Sequence, residues 1–165
     1  MRFGHRFLYI VIFLCLVPVS AFCEVKADAV LVDKSEGKLY LMQQGNAFDS
    51  FPVTFGTNMK GHKQQKGDGR TPEGRYILDY KNANSAYYKS IHISYPDVQD
   101  QINARQMGVD PGGDIMIHGQ VNGWGWASPL VQIFNWTDGC IALKDHHMER
   151  VWNAIDPGTP IEIRP

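Results

Sequence analysis

Ala29-Val30-Leu31-Val32-Asp33-Lys34-Ser35-Glu36-Gly37-Lys38-Leu39-Tyr40-Leu41-Met42 is the stretch that decides the fold class. Two short apolar runs, 29–32 and 38–42, flank the turn-forming residues Lys34-Ser35-Glu36-Gly37, which predicts two strands joined by a tight turn. Residues 48–55 follow the turn Gln44-Gly45-Asn46 and predict a third strand. Pro52 places that strand at an edge, because proline has no N–H to give to a ladder. A long loop, 56–74, carries Gly61, Gly67, Gly69, Pro72 and Gly74. Strands are predicted again at 75–80, 87–94, 115–117 and 159–163. Residues 97–107 are polar with Val98, Ile102 and Met107 inside, and predict a short helix. Met148, Val151, Trp152 and Ile155 fall at helical spacing on one face. Asp145 is the predicted N-cap of that second helix, and Asp156-Pro157-Gly158 its stop. No repeat divides the chain. The expectation is one mainly β domain over residues 25–165, a β-sandwich or partly closed barrel with one or two short helices.

Residues before 25 read as an address. Arg2, His5 and Arg6 precede an apolar run over 7–17, then Pro18 and the small residues Ser20 and Ala21. That order predicts a signal peptide over 1–22 and an exported, periplasmic protein. Cleavage after Ala21 fits the small-residue rule, and a lipid-modified Cys23 or an uncleaved anchor are the alternatives. The apolar run falls short of the roughly 20 residues a span needs, so no stable membrane span is expected after leader cleavage. The net charge of −1 gives no basic face for nucleic acid.

Of three cysteines, Cys15 lies in the leader and Cys23 at its edge, leaving Cys140 within the body. An exported domain with a single body thiol points to a reactive residue or to pairing elsewhere, Cys23 included. Cys140 sits in Thr137-Asp138-Gly139-Cys140-Ile141-Ala142-Leu143. Gly139 bares the backbone, so the amides of Gly139 and Cys140 are candidates for an oxyanion hole. A thiol is mostly protonated at neutral pH and needs a base. His118, ending an apolar strand before Gly119, is the candidate. The alternatives are a buried structural cysteine and a satisfied histidine. His62, His92, His146 and His147 carry no such pattern. Cys140 and the histidines lack the tight spacing of a zinc site. Between His118 and Cys140 lie Trp124, Trp126 and Trp136 among glycines, either core or the wall of a cleft. Lys60, Lys63, Lys66 and Arg70 read as a solvated face.

Ile117-His118-Gly119 followed by Thr137-Asp138-Gly139-Cys140-Ile141-Ala142-Leu143 resembles the signature of the L,D-transpeptidase catalytic domain (YkuD type). Gly67 to Tyr76, Gly37-Lys38-Leu39-Tyr40 and Gly158 to Ile163 resemble further segments of it, and the likeness is greatest to the YafK-like group. The resemblance implies a sandwich or barrel of the L,D-transpeptidase type. It implies Cys140 as nucleophile and His118 as base, supported by Gly119, Thr137, Asp138 and Gly139, with no cofactor and no metal. The implied substrates are peptidoglycan stem peptides, and the acyl acceptor is an amine of a neighbouring stem or of a wall-anchored lipoprotein, or water. Asp138 stands where many members have histidine and Ala142 where many have arginine or asparagine. Arg70 or Lys66 then remains as the candidate for the substrate carboxylate. The Thr-Leu-x-Thr-Cys strand and following arginine of sortases are not seen around Cys140, and papain-like wall hydrolases place cysteine before histidine. The rival of another class is a catalytically idle wall-binding module on the same fold.

Overall fold

The computed structural model describes residues 25–123 and 134–165. The expected leader, Trp124 and Trp126 lie outside them. Strands β1 (Ala29–Asp33), β2 (Lys38–Gln43), β3 (Asn46–Pro52), β4 (Gly74–Asn82) and β5 (Ser90–Ile93) come first. Helix α1 (Val98–Met107), β6 (Met116–His118), β7 (Ile141–Ala142), helix α2 (Asp145–Ala154) and β8 (Thr159–Arg164) complete the chain. The strands form one curled, eight-stranded sheet in the order β3-β2-β1-β8-β4-β5-β6-β7.

Alternation makes the core. In β1, Val30 and Val32 point inward between half-buried neighbours, and in β8 Thr159, Ile161 and Ile163 do the same. Leu39, Leu41, Leu78, Ile91, Ile93, Ile117 and Ile141 join them from the other strands. The stripe expected on the second helix is present: Met148 and Val151 of α2 and Ile155 just beyond it are fully buried in the same cluster. Burial of such side chains is worth about 1.5–3 kcal/mol each, which fixes α2 against the sheet.

Several boundaries differ from the sequence reading, each for a local reason. The β2–β3 turn is two residues, Gln44 and Gly45, both at positive φ (51° and 77°), so β3 starts at Asn46. Pro52 is on β3, an edge strand, as its chemistry requires. Strand β5 starts at Ser90, not at 87, because Tyr88 and Lys89 have φ of 26° and 41°, outside the β region. Asp145 is not the N-cap of α2: Lys144 occupies that position without a side-chain cap, and Asp145 Oδ1 accepts the N–H of Gln120 at 2.8 Å.

Candidate active site

The site is assembled by the last two strands of the sheet. Strands β6 and β7 pair in parallel, with Ile117 opposite Ile141 and His118 opposite Ala142. Ile117 and Ile141 are fully buried, so they take the core face. Side chains alternate along strands, which puts Met116 and His118 on the other face. Extending the register by one sets Cys140 opposite Met116, and the Met116 N–H donates to the Cys140 sulfur at 3.4 Å. The nucleophile and base of the sequence reading therefore stand on one face, two register positions apart.

Two hydrogen bonds shape the turn before β7. The Thr137 hydroxyl donates to the Cys140 carbonyl at 2.7 Å and accepts the Gly139 N–H at 3.2 Å. The Gly139 amide is thus engaged, whereas the Cys140 N–H donates to none of the described residues. Gly139 has φ 127°, and a Cβ there would lie 2.5 Å from the Arg70 carbonyl oxygen. Only glycine tolerates both conditions.

His118 is buried, and its Nδ1 lies 2.7 Å from the Gly119 carbonyl. A carbonyl only accepts, so Nδ1 carries the proton and Nε2 keeps a lone pair. Tyr87 packs on the imidazole with ring centroids 4.6 Å apart, and Trp136 stands edge-on at 5.8 Å. Gly119 admits no side chain, because a Cβ would meet Asp145 Oδ1 at 2.8 Å and Tyr88 Cβ at 2.9 Å.

Cys140 and His118 open on one cavity of about 480 Å³, lined also by Ser85, Tyr87, Asp114, Trp136, Thr137 and Asp138. Burial pushes the Cys140 thiol above its ordinary value, and the Asp138 and Asp114 carboxylates add to that; the Met116 N–H and the Lys63 ammonium oppose it. Burial also holds the His118 imidazole below its ordinary value, against the Gly119 hydrogen bond. Both shifts favour a neutral thiol beside a neutral imidazole.

Arg70 does not line this cavity. Its Nη1 reaches the His62 carbonyl at 3.5 Å, and its own carbonyl packs against Gly139. Lys66 lines an adjoining cleft of about 550 Å³ that shares Asp114 and Asp138 with the first. The expected solvated face is corrected at Lys63, which is 2% exposed. His62 Nε2 lies 2.9 Å from Asp100 Oδ1, and His92 Nδ1 2.6 Å from Asp79 Oδ1, both within the scaffold. The sequence reading placed Tyr87 at the start of a strand and gave no sign of the loop that sets it on His118. Among the described residues no three potential metal ligands cluster, and no helix is long and apolar enough to cross a membrane.

Residues 27–163 match the family described as the L,D-transpeptidase catalytic domain (YkuD). YafK of Escherichia coli strain K12, a protein carrying the L,D-transpeptidase name, is 32% identical over 115 residues. That match spans 68% of this chain and 39% of YafK, so the chain corresponds to well under half of that relative. Among solved structures, the helical cell shape determining protein Pgp2 of Campylobacter jejuni superposes with a TM-score of 0.62 at 23% identity, over 82% of this chain and 46% of Pgp2. An L,D-transpeptidase of Mycobacterium tuberculosis superposes at 0.55 and 17% identity, over 83% of this chain and 57% of that one. With the match running from the first strand to the last, the chain belongs to the L,D-transpeptidase catalytic-domain family.

Proposed function

We propose that the chain is an exported cysteine acyltransferase that acts on peptidoglycan stem tetrapeptides. The observation that carries this reading is the shared face of Cys140 and His118, opening on one cavity. His118 Nε2 takes the Cys140 proton as the sulfur attacks the carbonyl between an L-centre and the following D-residue. The oxyanion is received by the Cys140 N–H, the amide of the turn that Thr137 leaves unengaged. The intermediate collapses to a thioester, and the amine of the D-residue leaves with the proton held on His118. An acceptor amine then attacks the thioester, His118 takes a proton from it, and the thiolate leaves and is reprotonated. The product is a new amide, a cross-link or an attachment to a wall-anchored lipoprotein. Water in place of the amine gives an L,D-carboxypeptidase or endopeptidase. A role in cell shape, as in the description of Pgp2, follows from either outcome.

The test is incubation of the protein with defined tetrapeptide muropeptides, with and without an added amine, and mass spectrometry of products. A thioester adduct on Cys140 is expected, together with loss of turnover by at least about a hundredfold in Cys140→Ala and in His118→Gln. Undiminished turnover in Cys140→Ala sinks the reading. Aminolysis against hydrolysis products names the acceptor. Residues 1–22 are proposed as the removed leader, which N-terminal sequencing of the exported protein tests.

A further inference from the structure

Lys63 belongs to a loop rich in lysine and glycine, yet it is 2% exposed. A buried ammonium persists only when its protons are met. Its Nζ donates to Asp68 Oδ1 at 2.9 Å and to the Gln65 carbonyl at 3.2 Å. Asp68 in turn accepts the backbone N–H groups of Gln64, Gln65 and Arg70, so the loop clamps the carboxylate that clamps the lysine. The remaining direction of the ammonium reaches the Asp138 carbonyl at 3.5 Å, across 75 residues of sequence.

That carbonyl is one end of a peptide group whose other end is the Gly139 N–H, held by Thr137 Oγ1 at 3.2 Å. The peptide immediately before Gly139 is therefore gripped at both ends, and its plane sets how the next residues present themselves. We infer that Lys63 is a positioning residue of the catalytic turn: its ammonium holds the Asp138–Gly139 peptide and sets a fixed positive charge beside the anion that forms at Cys140. The inference rests on Cys140 being the nucleophile. Asp114, Asp138 and His118 line the same cavity as Cys140, and the thiol reaches the Asp114 carbonyl at 3.6 Å. Behind Lys63 stand Asp68, His62 and Asp100, and across the adjoining cleft Lys66 and Asp110. Against the Asp138 and Asp114 carboxylates, which hold the thiol up, the Lys63 charge favours the thiolate. Desolvated charges interact far more strongly than exposed ones, which gives a single buried lysine leverage over the thiol.

The test measures alkylation of Cys140 by iodoacetamide, an uncharged probe, as a function of pH in the full chain. The Cys140 peptide is read by mass spectrometry, so Cys15 and Cys23 do not contribute. In Lys63→Met the alkylation midpoint should rise by about one pH unit, leaving about tenfold less modification at neutral pH. Turnover of a tetrapeptide muropeptide should fall in kcat with KM little changed. Lys63→Arg, which keeps the charge, should recover most of the lost reactivity. Lys63→Met/Asp68→Asn removes the charge without stranding a buried carboxylate and serves if the single variant does not fold. A folded variant of either kind with the wild-type profile overturns the inference, as does failure of both to fold, which would make Lys63 scaffold alone. Turnover surviving in Cys140→Ala is the separate outcome that removes the nucleophile itself.

Discussion

At the scale of single residues, the site is a pair of neutral groups made ready by burial. His118 sits below its ordinary value of 6.5 and Cys140 above its ordinary value of 9.0. A base with a depressed pKa stays unprotonated to lower pH. The acid limb of kcat/KM, which reports the free enzyme, should therefore fall below pH 6.5, and a pH–rate profile checks it. Folding follows the same sign. Unfolded His118 binds a proton below 6.5 that the folded residue refuses, so its contribution to stability is present above 6.5 and is lost as pH falls toward the depressed value. Denaturant midpoints should be lower at pH 5 than at pH 7.5, with a shallower slope in His118→Gln. As candidates that share one cavity, Cys140 and His118 were legible in the sequence because a lone thiol after glycine and a histidine at a strand end are local patterns. Lys63 and Tyr87 were not. Lys63 reaches Asp138 across 75 positions of sequence, and the contact of Tyr87 with His118 is made by a loop whose shape depends on positive φ at Tyr88 and Lys89.

At the scale of elements, what was legible tracks how local the determining force is. The β1–β2 hairpin and the buried stripe of α2 follow from spacing alone, and both stand close to where the pattern puts them. Helix α1 has little apolar stripe, burying only Asp100 and Ala104, and is defined instead by its ends. Asp97 accepts the Asp100 N–H while Asp100 accepts the Asp97 N–H, a reciprocal cap, and Gly108 closes the helix at φ 69°. Asp100 also receives the Tyr76 hydroxyl at 3.0 Å and faces His62. Removing the cap side chain in Asp97→Ala should lower stability by about 1 kcal/mol. Asp100→Ala should lower it by about 2–3 kcal/mol, because buried partners are left unmet. Urea unfolding of the two variants distinguishes a helix held by its cap from one held by its face. The N-cap of α2 was misplaced for a related reason: the cap position falls on Lys144, and the Asp145 carboxylate one residue on is recruited by the loop after His118, a contact that helix rules do not contain.

At the scale of the whole molecule, the sheet does not end at its two edge strands. Beyond β3 the chain continues to Thr54, which exchanges both backbone hydrogen bonds with Ala142 of β7, at 3.0 and 2.8 Å. Thr57 then donates to the Thr137 carbonyl at 3.1 Å, and Thr137 to the Phe55 carbonyl at 3.2 Å. The first and last strands of the sheet order are thereby joined through the segment that carries Cys140. Closure and the candidate site share the same backbone. Phe55, 1% exposed, anchors the closing segment, and Ile161, 1% exposed, anchors β8 in the middle of the sheet order. Truncating either to alanine should reduce stability by about 2–5 kcal/mol, since both leave a cavity in a packed core. Their effects on the thiol should part. Phe55→Ala loosens the clamp on Thr137 and should slow Cys140 alkylation per folded molecule severalfold, whereas Ile161→Ala weakens the scaffold at a distance and should leave that rate near the wild-type value. Alkylation rates measured well below each variant's unfolding midpoint separate the two effects. Equal rates in both variants would mean that the closing segment stabilises the molecule without shaping the surroundings of Cys140.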